Sequence, residues 1–252
     1  MNQHLVCNAR TIGAQVVCNV GNRFEHGFLL VSTEDGIYRV PIDGGKPYQI
    51  VTYNNDNWDY ENYLYRDCAG GRVYWAESSN QTIYSAKYDG TDKKVFFANH
   101  DVQSSVLTVD WISGRVYRIP DMLGSTIAVI SIENPNVHAV LNTRHHCQLS
   151  DIVVDPLRGK LYWTCFKGLK EGTSLYWSNL DMSDEELLLK FSGASEMHVL
   201  MATGEVCYPQ YHHSTLKCFD PYSKQSRTIA ENLRLHPYDI TETMYYVASG
   251  DE

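Results

Sequence analysis

The chain is 252 residues long, 43% of them apolar, with a formal net charge of −9 at pH 7. That length can bury a sizeable core, in one large domain or two small ones. The acidic balance argues against nucleic acid and anionic membranes, which attract clustered Lys and Arg, and no apolar run is long enough for membrane insertion.

The start of the chain carries two strand-like segments, residues 3–10 and 15–18, which match the second half of a unit repeated further along. The first five residues lack the basic start and apolar stretch of a signal peptide. We therefore expect either a cytoplasmic protein or a mature secreted chain.

The strongest pattern in the chain is Asp, three residues, Gly, a base, an aliphatic residue and Tyr. An Asp that opens a turn can accept bonds from the backbone N–H groups just ahead of it, and Gly supplies the positive φ that closes the turn. Apolar residues alternate on both sides, which predicts a hairpin with one buried face. Three ungapped copies cover residues 67–75, 110–118 and 155–163, a shorter copy ends at Tyr208, and a degenerate one ends at Tyr246.

A second hairpin follows each copy, so the repeated unit has four strands, named A to D here in chain order. Four-stranded units at this period are typical of propeller blades. The apolar anchors of strand C are 41 to 48 residues apart, at Ile37, Ile83, Ile127, Leu175 and Leu216.

A sixth anchor appears at Leu5, and counting from Leu216 around the chain ends to Leu5 gives 41 residues. The sequence therefore predicts an all-β fold in a single domain, residues 1–252. We expect a six-bladed β-propeller of four-stranded antiparallel blades. Residues 1–20 would supply strands C and D of a blade begun at about residues 235–252, which closes the ring and removes exposed sheet edges.

Two copies of the motif resemble a known family. Tyr74-Trp75-Ala76-Glu77 and Tyr162-Trp163-Thr164-Cys165 are similar to the YWTD motif of the low-density-lipoprotein-receptor class B repeat. The resemblance implies a six-bladed propeller of extracellular receptors and matrix proteins, which binds protein ligands or releases them at low pH. The chain departs from the family pattern in two ways: the last Asp of the motif is replaced in each copy, and no cysteine-rich module flanks the repeats. Both departures are expected of a divergent or stand-alone member. The replacing residues are Glu77, Pro120, Cys165, Gln210 and Ala248.

One face of the predicted propeller gathers most of the candidate binding residues. Because strand direction alternates, the D–A and B–C connections share one face, called the top face here, and the A–B and C–D turns share the bottom face. Most histidines fall on the top face, beside the long aromatic and acidic connection around Trp58. The predicted ligand-binding residues are Asp56, Trp58, Asp59, Tyr60, His100, Met122, Leu123, His145, His146, Phe166, His212, His213 and His236.

Three interpretations of the histidines are open. They are solvated loop residues, a proton-sensitive binding face, or a metal site. The metal interpretation lacks support, because adjacent His pairs splay apart on a strand and no HExxH or CxxC motif is present. We predict no metal and no cofactor.

The seven cysteines suggest three disulfides. Cys7 and Cys18 are eleven apart, as are Cys207 and Cys218, and Cys147 and Cys165 fall near the top ends of adjacent strands, which leaves Cys68 over. Three bridges suit a secreted protein. Reduced cysteines packed as small apolar residues in a cytosolic protein are the alternative. Asn80-Gln81-Thr82 is a glycosylation triplet on a B–C turn.

No nucleophile elbow, phosphate-binding Gly loop or catalytic triad is found, so no catalytic residue is predicted. We expect a non-enzymatic binding module that holds its ligand on the top face. The ligand would be a basic or neutral protein, small molecule or glycan, and its binding could depend on pH. The alternatives are a propeller enzyme of the calcium-dependent lactonase or esterase type, and a carbohydrate-binding lectin. The resemblance favours an extracellular location, and the missing signal peptide a cytoplasmic one.

Overall fold

The computed structural model describes residues 10–11, 14–16, 28–33, 36–41, 46–53, 64–67, 69–77, 80–99, 106–120, 124–144, 147–168, 171–191, 197–199, 203–210 and 215–230. Within these stretches every regular element is a β-strand, and the strands form five sheets. This confirms the predicted all-β class.

Each sheet is an antiparallel meander, in which neighbouring strands follow one another in the chain. Sheet one has five strands and the other four sheets have four each, in the predicted order A to D. The strands are, in sheet one, β1 (Arg10–Thr11), β2 (Ala14–Val16), β3 (Phe28–Thr33), β4 (Gly36–Pro41) and β5 (Tyr48–Thr52); in sheet two, β6 (Leu64–Asp67), β7 (Arg72–Glu77), β8 (Thr82–Lys87) and β9 (Lys94–Ala98); in sheet three, β10 (Leu107–Asp110), β11 (Arg115–Arg118), β12 (Thr126–Ser131) and β13 (His138–Asn142); in sheet four, β14 (Gln148–Asp155), β15 (Lys160–Phe166), β16 (Thr173–Asn179) and β17 (Glu186–Phe191); and in sheet five, β18 (His198–Val199), β19 (Val206–Gln210), β20 (Thr215–Asp220) and β21 (Gln225–Ala230).

The A–B turns have the geometry that the motif predicts. Asp67 Oδ1 accepts hydrogen bonds from the backbone N–H groups of Ala69 and Gly70, both at 2.9 Å. Gly71 closes the turn with φ of 62°. The same arrangement recurs in sheets three and four, where the turns begin at Asp110 and Asp155.

In sheet two, the Tyr and Trp of the motif join the sheet to both of its neighbours. Successive side chains of a strand point to opposite faces of the sheet, so the Tyr and Trp rings lie on opposite faces. Tyr74 packs with Leu107 of sheet three, whereas Trp75 packs with Leu30 of sheet one. Trp75 also stacks on Tyr84, its partner across the β7–β8 pair, with ring centroids 5.7 Å apart. In sheet two, the motif therefore packs against both neighbouring sheets.

The A strands of successive sheets pack side by side, β2 on β6, β6 on β10, β10 on β14 and β14 on β18. Hydrogen bonds reinforce this inner layer: the Val154 N–H donates to Thr108 Oγ1 of the preceding sheet at 3.2 Å. Sheets arranged with their first strands innermost are characteristic of a propeller.

The chain start differs from its predicted position. Residues 15–18 were expected to form strand D of a closing blade, but Ala14–Val16 pairs with β3 as the A strand of sheet one, and β1 pairs outside it. Val16 lies opposite Leu29 in a regular antiparallel ladder, so local pairing with the next strand determines its position. Residues 1–9 and 231–252 lie outside the described residues, and six blades in a closed ring stay a prediction.

Candidate functional site

The bottom face of the described sheets uses its polar groups internally. The Arg72 guanidinium, at the start of β7, donates to Asp92 in the C–D turn of sheet two at 2.6 Å and lowers the pKa of that carboxyl. In sheet four, the Ser183 hydroxyl and N–H both bond to Asp181 Oδ1 and lower its pKa. Asp89 and Asp220 have lowered pKa values through similar turn hydrogen bonds. These carboxylates hold turns together.

At the top end of sheet two, a buried carboxylate occupies the last position of the motif. Glu77 is 5% exposed, and its Oε1 accepts a hydrogen bond from Trp75 Nε1 at 3.1 Å. Its Oε2 accepts one from Asn80 Nδ2 at 2.8 Å. Glu77 therefore connects the packed indole to the exposed B–C turn.

At the top end of sheet four, a disulfide occupies the equivalent place. Cys165 is fully buried and bonded to Cys147, with their Cα atoms 5.5 Å apart. Phe166 follows it, half-buried between Gln148 of β14 and Thr173 of β16. The backbone leaves β15 in a closed connection, in which the Lys167 N–H donates to the Gly172 carbonyl at 3.1 Å. Phe166 thus lies at the edge of the top face, beside a backbone hydrogen bond that joins the two ends of this connection.

No protein-family model matches the chain. Nidogen of Drosophila melanogaster is 33% identical to it over 221 residues, which are 86% of this chain and 16% of that protein. The chain therefore spans only a small part of that relative. A chain in the crystal structure of a nidogen/laminin complex superimposes with a TM-score of 0.63 at 15% identity, over 81% of this chain and 74% of that one. The chain is a YWTD-type β-propeller.

Two further solved structures share the propeller's fold at low identity. An oligogalacturonate lyase in complex with manganese has a TM-score of 0.61 at 8% identity, covering 81% of this chain and 62% of that one. A putative TolB from Agrobacterium tumefaciens has a TM-score of 0.62 at 15% identity, covering 81% and 76%. At these identities the likeness concerns the fold alone, because one fold supports unrelated functions.

Five of the residues singled out from the sequence can be located in the propeller: Phe166, Cys147, Cys165, Cys207 and Cys218. Cys207 and Cys218 lie directly opposite each other on β19 and β20, where they form a disulfide with Cα atoms 3.9 Å apart. The other predicted residues lie outside the described residues. These are Asp56, Trp58, Asp59, Tyr60, His100, Met122, Leu123, His145, His146, His212, His213, His236, Cys7 and Cys18.

Asp151 is a structural residue that the sequence analysis missed. It lies in β14, 1% exposed, and its Oδ1 accepts a hydrogen bond from the Ile152 N–H at 2.8 Å. Its Oδ2 accepts one from the Met197 N–H of the next sheet, also at 2.8 Å. An Asp directly before the apolar run of residues 152–154 was the available signal, since a carboxylate at a buried strand position needs buried partners.

Among the described residues, no group of three or more His, Cys, Asp or Glu side chains is arranged to hold a metal ion. In the same part of the chain, no helix is long and apolar enough to cross a membrane.

Proposed function

We propose that this propeller is an extracellular protein-binding module that holds its partner on the top face. The observation that carries the proposal is the 33% identity to nidogen, which extends over 86% of the chain. The fold similarity to a nidogen/laminin complex supports a protein as the partner.

The contrast between the two faces favours the top one. On the bottom face, the A–B turns repeat one geometry, and their Asp side chains are occupied by the turn itself. On the top face, the B–C connections differ in length and sequence from sheet to sheet, from residues 34–35 to residues 119–125. Variable loops on a rigid scaffold are where propellers and similar folds carry recognition.

The top face also combines the residue types that protein interfaces use. Phe166 is half-buried at the end of β15, and its neighbouring connection is fixed by backbone hydrogen bonds. Trp58 and Tyr60 belong to the long D–A connection on the same side of the repeat. An aromatic side chain at the end of a strand, such as Phe166, makes a favourable anchor, because little conformational entropy is lost on binding.

The proposal includes a dependence on pH. His100 and His145 are at equivalent positions, each ten residues before the Asp of its motif copy. Protonation between about pH 7 and 5 would add positive charge to a face that also carries Asp56 and Asp59. A basic partner would then bind more weakly in acid, and an acidic partner more tightly.

Laminin is the first probe for this function, because it accompanies nidogen in the structural match. Binding of the immobilised probe to wild type is compared with Phe166→Ser on the top face and Ile112→Ser on the bottom face. Ile112 is 60% exposed in an A–B turn, so its replacement is a matched loss of apolar surface. We expect at least a tenfold weaker affinity for Phe166→Ser, about 1.4 kcal/mol, and no change for Ile112→Ser.

Two results would contradict the proposal. Equal losses in both variants, with unchanged circular dichroism, would remove the preference for the top face. Binding that disappears when the glycans of laminin are removed enzymatically would favour a lectin.

The pH dependence has its own test. A double variant, His100→Gln with His145→Gln, is expected to bind equally well at pH 7 and pH 5.5. An unaltered pH dependence would exclude these two histidines as the sensor.

A further inference from the structure

We propose that Asn80 carries an N-linked glycan, which shields the top end of sheet two. The inference rests on the extracellular location proposed above, and it adds a modification that protein binding does not require. Asn80-Gln81-Thr82 is the one Asn-x-Ser/Thr triplet without proline at x in the whole 252-residue sequence.

The fold presents this asparagine to solvent. Asn80 is exposed on the turn that leads into β8, whereas Thr82 behind it is 7% exposed. The Thr82 hydroxyl donates to the Asn80 carbonyl at 2.8 Å, and Gln81 adopts φ of 51° between them. The turn therefore leaves Asn80 accessible to solvent and buries Thr82. A large hydrophilic substituent on Asn80 meets water and not the core.

The contacts of Asn80 are compatible with the modification. In the transfer reaction, Asn80 Nδ2 forms a bond to the anomeric carbon of an oligosaccharide attached to a lipid diphosphate. The bond from that carbon to the diphosphate oxygen breaks, the lipid diphosphate leaves, and the nitrogen loses one proton. Nδ2 carries two hydrogens and uses one for Glu77 Oε2 at 2.8 Å. The glycosylated amide keeps one N–H, which can retain the bond to Glu77.

The disulfides of the propeller point to the compartment in which this transfer occurs. Cys147–Cys165 and Cys207–Cys218 are both formed in the structure. Disulfides persist in oxidising environments such as the secretory pathway, where asparagine-linked glycans are also added.

A glycan at Asn80 would limit where a partner can dock. It extends from the B–C turn of sheet two, on the same face as Phe166 of sheet four. A protein partner would then approach the top face without covering the B–C turn of sheet two.

The experiment uses the full chain behind a cleavable secretion leader, expressed in animal cells and purified from the medium. Tryptic peptides are treated with peptide-N-glycosidase in heavy-oxygen water, which converts a glycosylated asparagine to labelled aspartate. We expect labelled Asp at position 80 in wild type and in Thr82→Ser, which keeps the triplet. Asn80→Gln and Thr82→Ala are expected to migrate as unglycosylated chains.

Secreted wild type without label at position 80 would overturn the proposal, as would a glycosidase-sensitive mass in Asn80→Gln. Laminin binding, measured on the same preparations, separates this proposal from the proposed function. An unglycosylated propeller that binds laminin contradicts only the glycan, and a glycosylated one that binds no protein contradicts only the function.

Discussion

Trp75 donates its indole N–H to the buried carboxylate of Glu77, 3.1 Å away, and this pair occupies the second and fourth positions of the YWTD-like motif. In sheet four the same positions are Trp163 and Cys165. Cys165 is bonded to Cys147, and Trp163 Nε1 is buried without a hydrogen-bond partner among the described residues. The disulfide thus replaces the carboxylate at this point of the propeller.

The hydrogen bond between Trp75 and Glu77 predicts that two substitutions of Glu77 lower the free energy of unfolding by different amounts. Glu77→Ala leaves a buried indole N–H unpaired, and we expect it to lower the free energy of unfolding by about 1–3 kcal/mol. Glu77→Gln keeps an acceptor and should have a smaller effect. Urea unfolding followed by tryptophan fluorescence measures both, with Glu171→Ala on the exposed B–C connection of sheet four as the control. Equal losses for Glu77→Ala and Glu171→Ala would show that the pair contributes nothing.

Replacing Asp151 is predicted to lower the free energy of unfolding, because this side chain bonds to backbone groups of two sheets. Asp151→Ala removes the acceptor of two buried backbone N–H groups, those of Ile152 and Met197. We expect unfolding free energy to fall by about 2 kcal/mol or more, and exchange of the Met197 amide to accelerate. Glu133→Ala, at an exposed position in the C–D turn of sheet three, is the control. Unchanged exchange at Met197 would rule out the bond between sheets four and five.

The Glu205–Arg227 pair predicts a dependence of stability on pH. The Arg227 guanidinium contacts both carboxylate oxygens at 2.6 Å and lowers the pKa of Glu205. A lowered pKa in the folded state gives stability that is present above the unfolded pKa, near 4.3, and is lost as pH falls through the folded value. Arg227 is largely exposed, so we expect less than about 1 kcal/mol.

Thermal unfolding between pH 6 and pH 3 tests this sign. Wild type should lose more stability over that range than Glu205→Gln, whereas Glu171→Gln should behave like wild type. A steeper loss in Glu205→Gln than in wild type would contradict the assigned direction.

The two disulfides predict a defined peptide map. Under non-reducing conditions we expect the pairs Cys147–Cys165 and Cys207–Cys218, and the pair Cys7–Cys18 stays a prediction from the sequence. Replacing either of the first two pairs by serine should lower the unfolding free energy by about 2–4 kcal/mol, slightly more for the longer loop of Cys147–Cys165. Seven titratable thiols in the protein from its native source would point to the cytoplasm instead.

The A–B turns and the strands after them could be predicted from the sequence, because the residues that form them are close together in the chain. Asp67, Gly71 and Tyr74 are a few residues apart, so the turn and the strand after it could be predicted from the motif. The pairing of β2 with β3 could not, since a strand of three residues fits either end of a repeated unit. Asp151 was missed for a related reason: its partner, the Met197 N–H, is 46 residues away and is brought close only by the packing of sheets.

The sequence could predict which face of the propeller carries the candidate site. It could not predict which side chains of that face lie close together. Strand alternation assigns Phe166 and the B–C connections to the top, and β15 does end there. Which aromatic or histidine side chains converge depends on loops whose lengths differ between the repeats, and no periodic pattern fixes loop conformation.

Hydrogen exchange of the propeller alone and in complex with laminin is the most direct test of the top face as the binding surface. We expect slower amide exchange in residues 166–173 and in the neighbouring D–A connections when the partner is bound. The A–B turns at residues 111–114 and 156–159 should exchange at unaltered rates. Protection confined to those bottom turns, with the top connections unaffected, would contradict the account.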